Sequence, residues 1–189
     1  MLNTKYIIHG NIQEPKIELN PTAFGNAWFV GKVKSVNNAN EEILALNDTY
    51  LDRQVILRNE ITQNLPKVDV DSTASIQLTS YTPTKMVYKA STNTDQIAVF
   101  SEIYYPHGWK ASVDGKEVDI LKANYILRAL PIAKGQHEIV FTYEPQVITT
   151  GKTIMLVSNA LLIIVIVGGT FLGYKKCKKE NYNFKTEGA

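Results

Sequence analysis

The sequence predicts a mainly β protein: an antiparallel β-sandwich with one short helix, followed by a single C-terminal transmembrane helix. Three observations carry this. Apolar and polar residues alternate through much of residues 75–143, the period of half-buried strands. Asp114-Gly115 separates two such runs, and this dipeptide supplies the positive φ values of a tight hairpin turn. Residues 153–174, "TIMLVSNALLIIVIVGGTFLGY", carry no charge. As a helix at about 1.5 Å per residue they cover a hydrocarbon core of roughly 30 Å. A chain of 189 residues holds one ordinary domain beside such a span.

In chain order, "KYIIHG" reads as a short strand and a proline-bearing connection leads to "NAWFVGKVKSV", a strand rich in β-branched and aromatic residues. "NNANEEILALND" has helix chemistry: Asn38 or Asn40 caps it, Glu41 and Glu42 sit in the positive first turn, and Ile43, Leu44 and Leu46 give an apolar face. Strands then follow closely. "ASIQLTSY" and "KMVYKAS" alternate, whereas "IAVFSEIYY" begins apolar on both faces, as a central strand does. "WKASV" and "KEVDI" form the Asp114-Gly115 hairpin, and "YILRAL" and "HEIVFTY" are expected to form another pair through Gly135. Short strands with tight turns indicate the sandwich.

Lys175, Lys176, Lys178 and Lys179 follow the apolar segment directly, and only Lys152 lies close before it. Basic residues stay on the cytoplasmic side. The expected organisation is therefore an extracytoplasmic domain over residues 1–150, a membrane helix over 151–174 and a basic cytoplasmic tail over 175–189. Tyr174 falls at the inner interface. The opening "MLNTKYIIHGNIQEP" lacks the basic and apolar regions of a secretory signal, so an exterior domain needs earlier spans to deliver it. That makes the chain the expected tail of a longer polytopic protein, with the bilayer and the remaining transmembrane helices as partners. Gly169 and Gly173 have the GxxxG spacing that lets helices approach closely. Cys177, the only cysteine, lies among the lysines, where a solvated or lipid-modified thiol is expected.

The net charge of +2 is too small to imply a nucleic-acid partner. No nucleophile elbow, phosphate loop, dinucleotide fingerprint or zinc-protease motif is present. His9, His107 and His137 lie in separate segments without metal-ligand spacing. No catalytic residue, metal or cofactor is expected. The one stretch that invites a ligand is "FSEIYYPHGWKASVDGKEV", residues 100–118. Trp109, Ala111 and Val113 share one strand face, so Trp109 is expected in the core between the sheets. Pro106, Gly108, Trp109, Asp114 and Gly115 make the structural motif of bend and hairpin. Tyr104, Tyr105 and the exposed His107 are its candidate ligand contacts.

"FSEIYYPHGWKASVDGKEVDILKANYILRALPIAKGQHEIVFTYEP", followed by "TGKTIMLVS" and the final apolar segment, closely resembles the C-terminal region of the bacterial YfhO-like membrane proteins. "MLNTKYII" and "NPTAFGNAWFV" also fit that family, so the resemblance covers nearly the whole chain. Members are large polytopic proteins similar to the GT-C class of lipid-linked glycosyltransferases. The resemblance implies a non-catalytic exterior module of a protein that glycosylates cell-envelope polymers. The multi-span part, where such enzymes keep an acidic catalytic loop, has no counterpart here, so no catalytic residue carries over. A membrane-tethered β-sandwich that binds envelope glycans, a lipid-linked sugar or a protein partner is the alternative, and a structural lid over membrane helices is a third. Exposed aromatics favour glycan binding, and an apolar patch near the membrane favours the lid.

Overall fold

A computed structural model describes residues 1–11, 13–63 and 65–187, with residues 177–187 as backbone alone; the side chains of Cys177, Lys178 and Lys179 lie outside the described residues. The chain divides into two compact units, Met1–Glu144 and Pro145–Ala189. The first begins with β1 (Tyr6–His9), β2 (Lys16–Leu19), β3 (Ala27–Val30), β4 (Lys32–Val36), α1 (Ala39–Ala45), β5 (Gln54–Arg58) and α2 (Asn59–Thr62). It continues with β6 (Ser75–Thr82), β7 (Lys85–Thr92), β8 (Gln96–Ile103), β9 (Trp109–Val113), β10 (Lys116–Val118), β11 (Leu121–Ala123), β12 (Leu127–Ile132) and β13 (Gly135–Tyr143). The second unit carries α3 (Gln146–Glu187).

Two antiparallel sheets form the sandwich, one in the order β10-β9-β13-β7-β6 and the other β11-β12-β8-β3. Met86, Tyr88, Phe100, Leu130, Ile139 and Phe141 are among the buried residues between them. Tyr88, Phe100 and Phe141 meet edge to face, with centroids 4.8–6.1 Å apart, the geometry that aromatic quadrupoles favour. The outer face of the four-stranded sheet packs on a second core containing Val30, Val55, Leu57, Ile97, Val99 and Leu127. This explains the unbroken apolar start of β8: Ala98 and Phe100 serve the first core, Ile97 and Val99 the second.

The strands of "YILRAL" and "HEIVFTY" do not pair as the sequence predicts. β12 pairs with β8 and β11, whereas β13 pairs with β7 and β9 in the other sheet. Their burial patterns account for the separation. Five of the six β12 residues are buried, as the doubly covered sheet requires, while β13 alternates because its sheet has an open face. Two further details depart from the expected pattern: α2 adds a second short helix, and β4 and β5 pair in parallel.

Polar side chains fasten the layer of α1, β4 and β5. Asn38 caps α1, its Oδ1 accepting from Glu41 N at 3.0 Å, while the Glu41 carboxylate accepts from Asn37 N at 2.9 Å. Glu42 is fully buried; its Oε2 accepts from Arg58 Nε at 3.0 Å and its Oε1 from Tyr125 N at 2.8 Å. Asn124 Oδ1 accepts from Ile56 N at 2.9 Å, and Asn124 N donates to Ile56 O at 3.0 Å. Asn124 thus supplies β5 with the bonds that a neighbouring strand would make. In α3, Gln146–Lys176 is long and apolar enough to cross a membrane, and its apolar window is wholly unburied. A soluble core helix would bury such a surface, so the chain is a β-sheet module joined to a membrane-spanning helix.

Candidate functional site

The stretch 100–118 is the crossover from one sheet of the sandwich to the other. β8 ends at Ile103, and the chain turns through Tyr104–Gly108 to enter β9 at Trp109. Gly108 takes φ 102°, which favours glycine. Its carbonyl accepts from Glu144 N at 2.6 Å, and Tyr104 N donates to Ile126 O at 2.7 Å. Tyr105 and His107 are exposed and meet edge to face at 5.4 Å.

Trp109 is only partly buried, a correction to its expected place inside the core. As the first residue of β9 it lies opposite Tyr143, the last of β13, so it packs on the core from the rim. The Arg128 guanidinium stacks over its indole at 4.2 Å, and the Tyr143 ring lies 5.2 Å away. Arg128 itself is buried. Its Nε donates to Ile103 O at 2.9 Å, Nη1 has no protein partner, and Phe141 lies 5.6 Å from the guanidinium. Burial lowers the Arg128 pKa, while the Glu102 carboxylate and Tyr88 oppose that shift.

A cleft of about 360 Å³ opens beside this crossover. The aromatic residues Tyr104, Tyr105 and Trp109 line it together with the charged residues Lys110, Glu117 and Asp119. Lys110 Nζ is also paired with Glu144 Oε2 at 3.3 Å. A second cleft of about 520 Å³, reaching Ile61 and Leu65, shares Glu117 and Asp119 with the first. The lining combines aromatic residues with exposed charged ones. Such a surface suits a polyhydroxylated ligand, whose C–H faces stack on rings and whose hydroxyls bond to carboxylates.

The predicted residues separate into three groups, with His107 and Gly108 on the bend but not in the cleft lining. Tyr104, Tyr105, Pro106 and Trp109 converge on the cleft. Asp114 and Gly115 lie at the far end of β9, where φ values of 51° and 78° turn the hairpin. There Asp114 binds His137 Nδ1 at 2.7 Å and accepts from Glu138 N at 2.8 Å. These bonds, that to His137 foremost, hold the Asp114 carboxyl below its ordinary pKa. On α3, a Cβ placed on Gly169 or Gly173 meets no atom within 4 Å outside the adjacent residues and the helix's own backbone. Sequence reasoning missed Glu117 and Asp119, although the two-residue turn sets Glu117 opposite Ser112 and Val118 opposite Ala111. It also missed Arg128, which reads in sequence as an ordinary exposed strand residue. Among the described residues, no group of three or more His, Cys, Asp or Glu side chains forms a metal site.

Among known protein families, the one described as bacterial membrane protein YfhO matches residues 48–155. A search of curated proteins and a search of solved structures each found no match.

Proposed function

The chain belongs to the bacterial membrane protein YfhO family, and on that premise we propose that it is a non-catalytic, extracytoplasmic sugar-handling module. It is anchored in the cytoplasmic membrane by α3, beside the remaining transmembrane helices of a longer polytopic protein. Its role is to hold the saccharide of an envelope polymer or of a lipid-linked donor for a membrane glycosyltransferase that supplies the chemistry. The observation that carries this reading is the aromatic and charged cleft at the β8–β9 crossover. The same end of the sandwich carries Tyr143, the last strand residue before α3, so a sugar bound there stays close to the point of tethering. The lysines after the apolar segment support an exterior sandwich. The cleft offers stacking faces and hydrogen bonds, and its neighbouring histidine, His107, packs on Tyr105.

The test is titration of the full chain in nanodiscs with envelope oligosaccharides, followed by calorimetry. Tyr105→Ala removes an exposed ring without opening a core. It is expected to weaken binding about tenfold, or about 1.4 kcal/mol, and to leave the unfolding midpoint unchanged. Absence of saturable binding by the wild type, or equal binding by Tyr105→Ala, would reject the assignment.

A further inference from the structure

The N-terminal hairpin of β1 and β2 is a two-faced ribbon whose apolar face has no cover. Tyr6 lies opposite Leu19 and Ile8 opposite Ile17; the alternate pairs are Ile7 with Glu18 and His9 with Lys16. Directly opposed residues share a face, so Tyr6, Ile8, Ile17 and Leu19 form one side. Their exposures are 63, 70, 69 and 62%. The other side carries Ile7, 39% exposed, with His9, Lys16 and Glu18, and His9 Nε2 lies 3.2 Å from Glu18 Oε2. A two-stranded ribbon is marginal in water, and contiguous exposed apolar surface marks a contact.

The ribbon springs from the end of the sandwich that leads into α3. Ser101 Oγ, near the end of β8, lies 3.0 Å from Met1 O and 2.6 Å from Gly25 O. Asn3 Nδ2 donates to Asn26 Oδ1 at 2.7 Å, and Asn20 ties the ribbon's two sides through Lys5 O and Thr4 O, both at 2.8 Å. Ser101 precedes the crossover to β9, and the crossover carbonyl of Gly108 accepts from Glu144 N. Only Glu144 and Pro145 separate β13 from α3. The ribbon base, the crossover and the tether to α3 therefore share one end of the β-unit. Exposed Ile103 and Tyr105 lie there as well.

We propose that the β1–β2 ribbon is an interfacial membrane anchor, its Tyr6, Ile8, Ile17 and Leu19 face lying in the headgroup–acyl boundary of the bilayer that α3 crosses. It rests on the reading of α3 as a bilayer span and goes beyond the sugar-handling role. A short link keeps lipid at high effective concentration around this end of the unit. Tyr6 gives the face an amphipathic ring suited to the headgroup level. The polar side with His9 and Glu18 then remains in water, dividing the ribbon as amphipathic interfacial segments divide.

The test uses the full chain in phosphatidylethanolamine–phosphatidylglycerol nanodiscs, with Cys177→Ser as background. An environment-sensitive fluorophore is attached through Ile8→Cys or Ile17→Cys on the apolar face, His9→Cys or Glu18→Cys on the polar face, and Val165→Cys in α3. Circular dichroism confirms that each labelled protein keeps its sheet. Labels at positions 8 and 17 are expected to emit further to the blue, resist aqueous iodide severalfold better than those at 9 and 18, and be quenched by brominated lipid. Quenching at 165 without quenching at 8 and 17 overturns the anchor and spares the span. Shielding from iodide without quenching by brominated lipid indicates a protein contact, such as a second copy, and also overturns it. Failure at 165 removes the span itself, and the anchor with it.

Discussion

Trp109 contributes to both stability and the cleft because it stands at the end of its strand. The indole packs on the core and under the Arg128 guanidinium, and Trp109 also lines the cleft. A fully buried tryptophan costs about 3–5 kcal/mol on truncation to alanine, and a rim position about half of that. The stacked cation adds about 1 kcal/mol. Trp109→Ala is therefore expected to lower the stability of the β-unit by about 2–3 kcal/mol, read by urea unfolding with Trp28 as the remaining fluorophore. Trp109→Phe is expected to recover part of it. An unchanged midpoint for Trp109→Ala would mean that the indole serves only the cleft. Asp114 gives a residue-scale effect of known sign. Its carboxyl is held below the usual range by His137 and by Glu138 N–H, with Lys116 also favouring the charged form. A depressed folded pKa adds stability above the unfolded value of about 3.9, and that contribution disappears as pH falls through the folded value. Asp114→Asn keeps a residue that tolerates positive φ but loses the charge. The midpoint difference between wild type and Asp114→Asn is expected to be steady near pH 5–6 and to shrink below about pH 4. A difference independent of pH would assign the effect to turn geometry alone.

Among the elements, α1 and its layer show where the pattern of residues stops being informative. The helix start is written locally, in Asn38 and Glu41. The role of Glu42 is not, because its partners Arg58 and Tyr125 are distant in sequence. In sequence Glu42 is one more acidic residue in a positive first turn; in the fold it is a buried carboxylate joining three segments. Removing one partner of a buried pair strands the other charge at about 3–5 kcal/mol. Because the Arg58 side chain is 28% exposed, Glu42→Ala is expected to cost less than that, about 2–3 kcal/mol in urea denaturation, and adding Arg58→Ala is expected to cost little more. Full additivity of the two would show that they do not act as a pair. The strands divide in the same way. β8 and the β9–β10 hairpin were legible, since double-sided burial and a two-residue turn each have a local signature. The separation of β12 from β13 was not, because a short Gly135-bearing link suits a hairpin as well as a change of sheet. The parallel pairing of β4 with β5 was hidden because the helix between them carries the crossover. The aromatic half of the cleft was readable as one run of sequence, and its charged half came from the return strand and the link beyond it.

At the scale of the whole molecule, the apolar span was the plainest feature of the sequence, since its length and lack of charge need no tertiary partner to be read. Its direction is testable in sealed cells. With the lysine cluster inside, an impermeant thiol reagent is expected to leave Cys177 unlabelled until the cells are opened. Efficient labelling of sealed cells would invert the topology and put the sandwich in the cytoplasm. The glycine spacing of the span makes a separate claim. Outside the helix's own backbone and the adjacent residues, nothing lies within 4 Å of a Cβ built on Gly169 or Gly173. Gly169→Ile combined with Gly173→Ile is therefore expected to leave the unfolding of the β-unit unchanged. Close helix contact through small residues depends on the backbones approaching, so any loss produced by the double substitution has to arise at another helix. The expected result is weaker association of the span with other membrane helices, or with a second copy, read by energy transfer between labelled spans in native-lipid nanodiscs. Association equal to wild type would leave the two glycines without a packing role, and the partner surface of α3 would have to be sought on its larger apolar side chains.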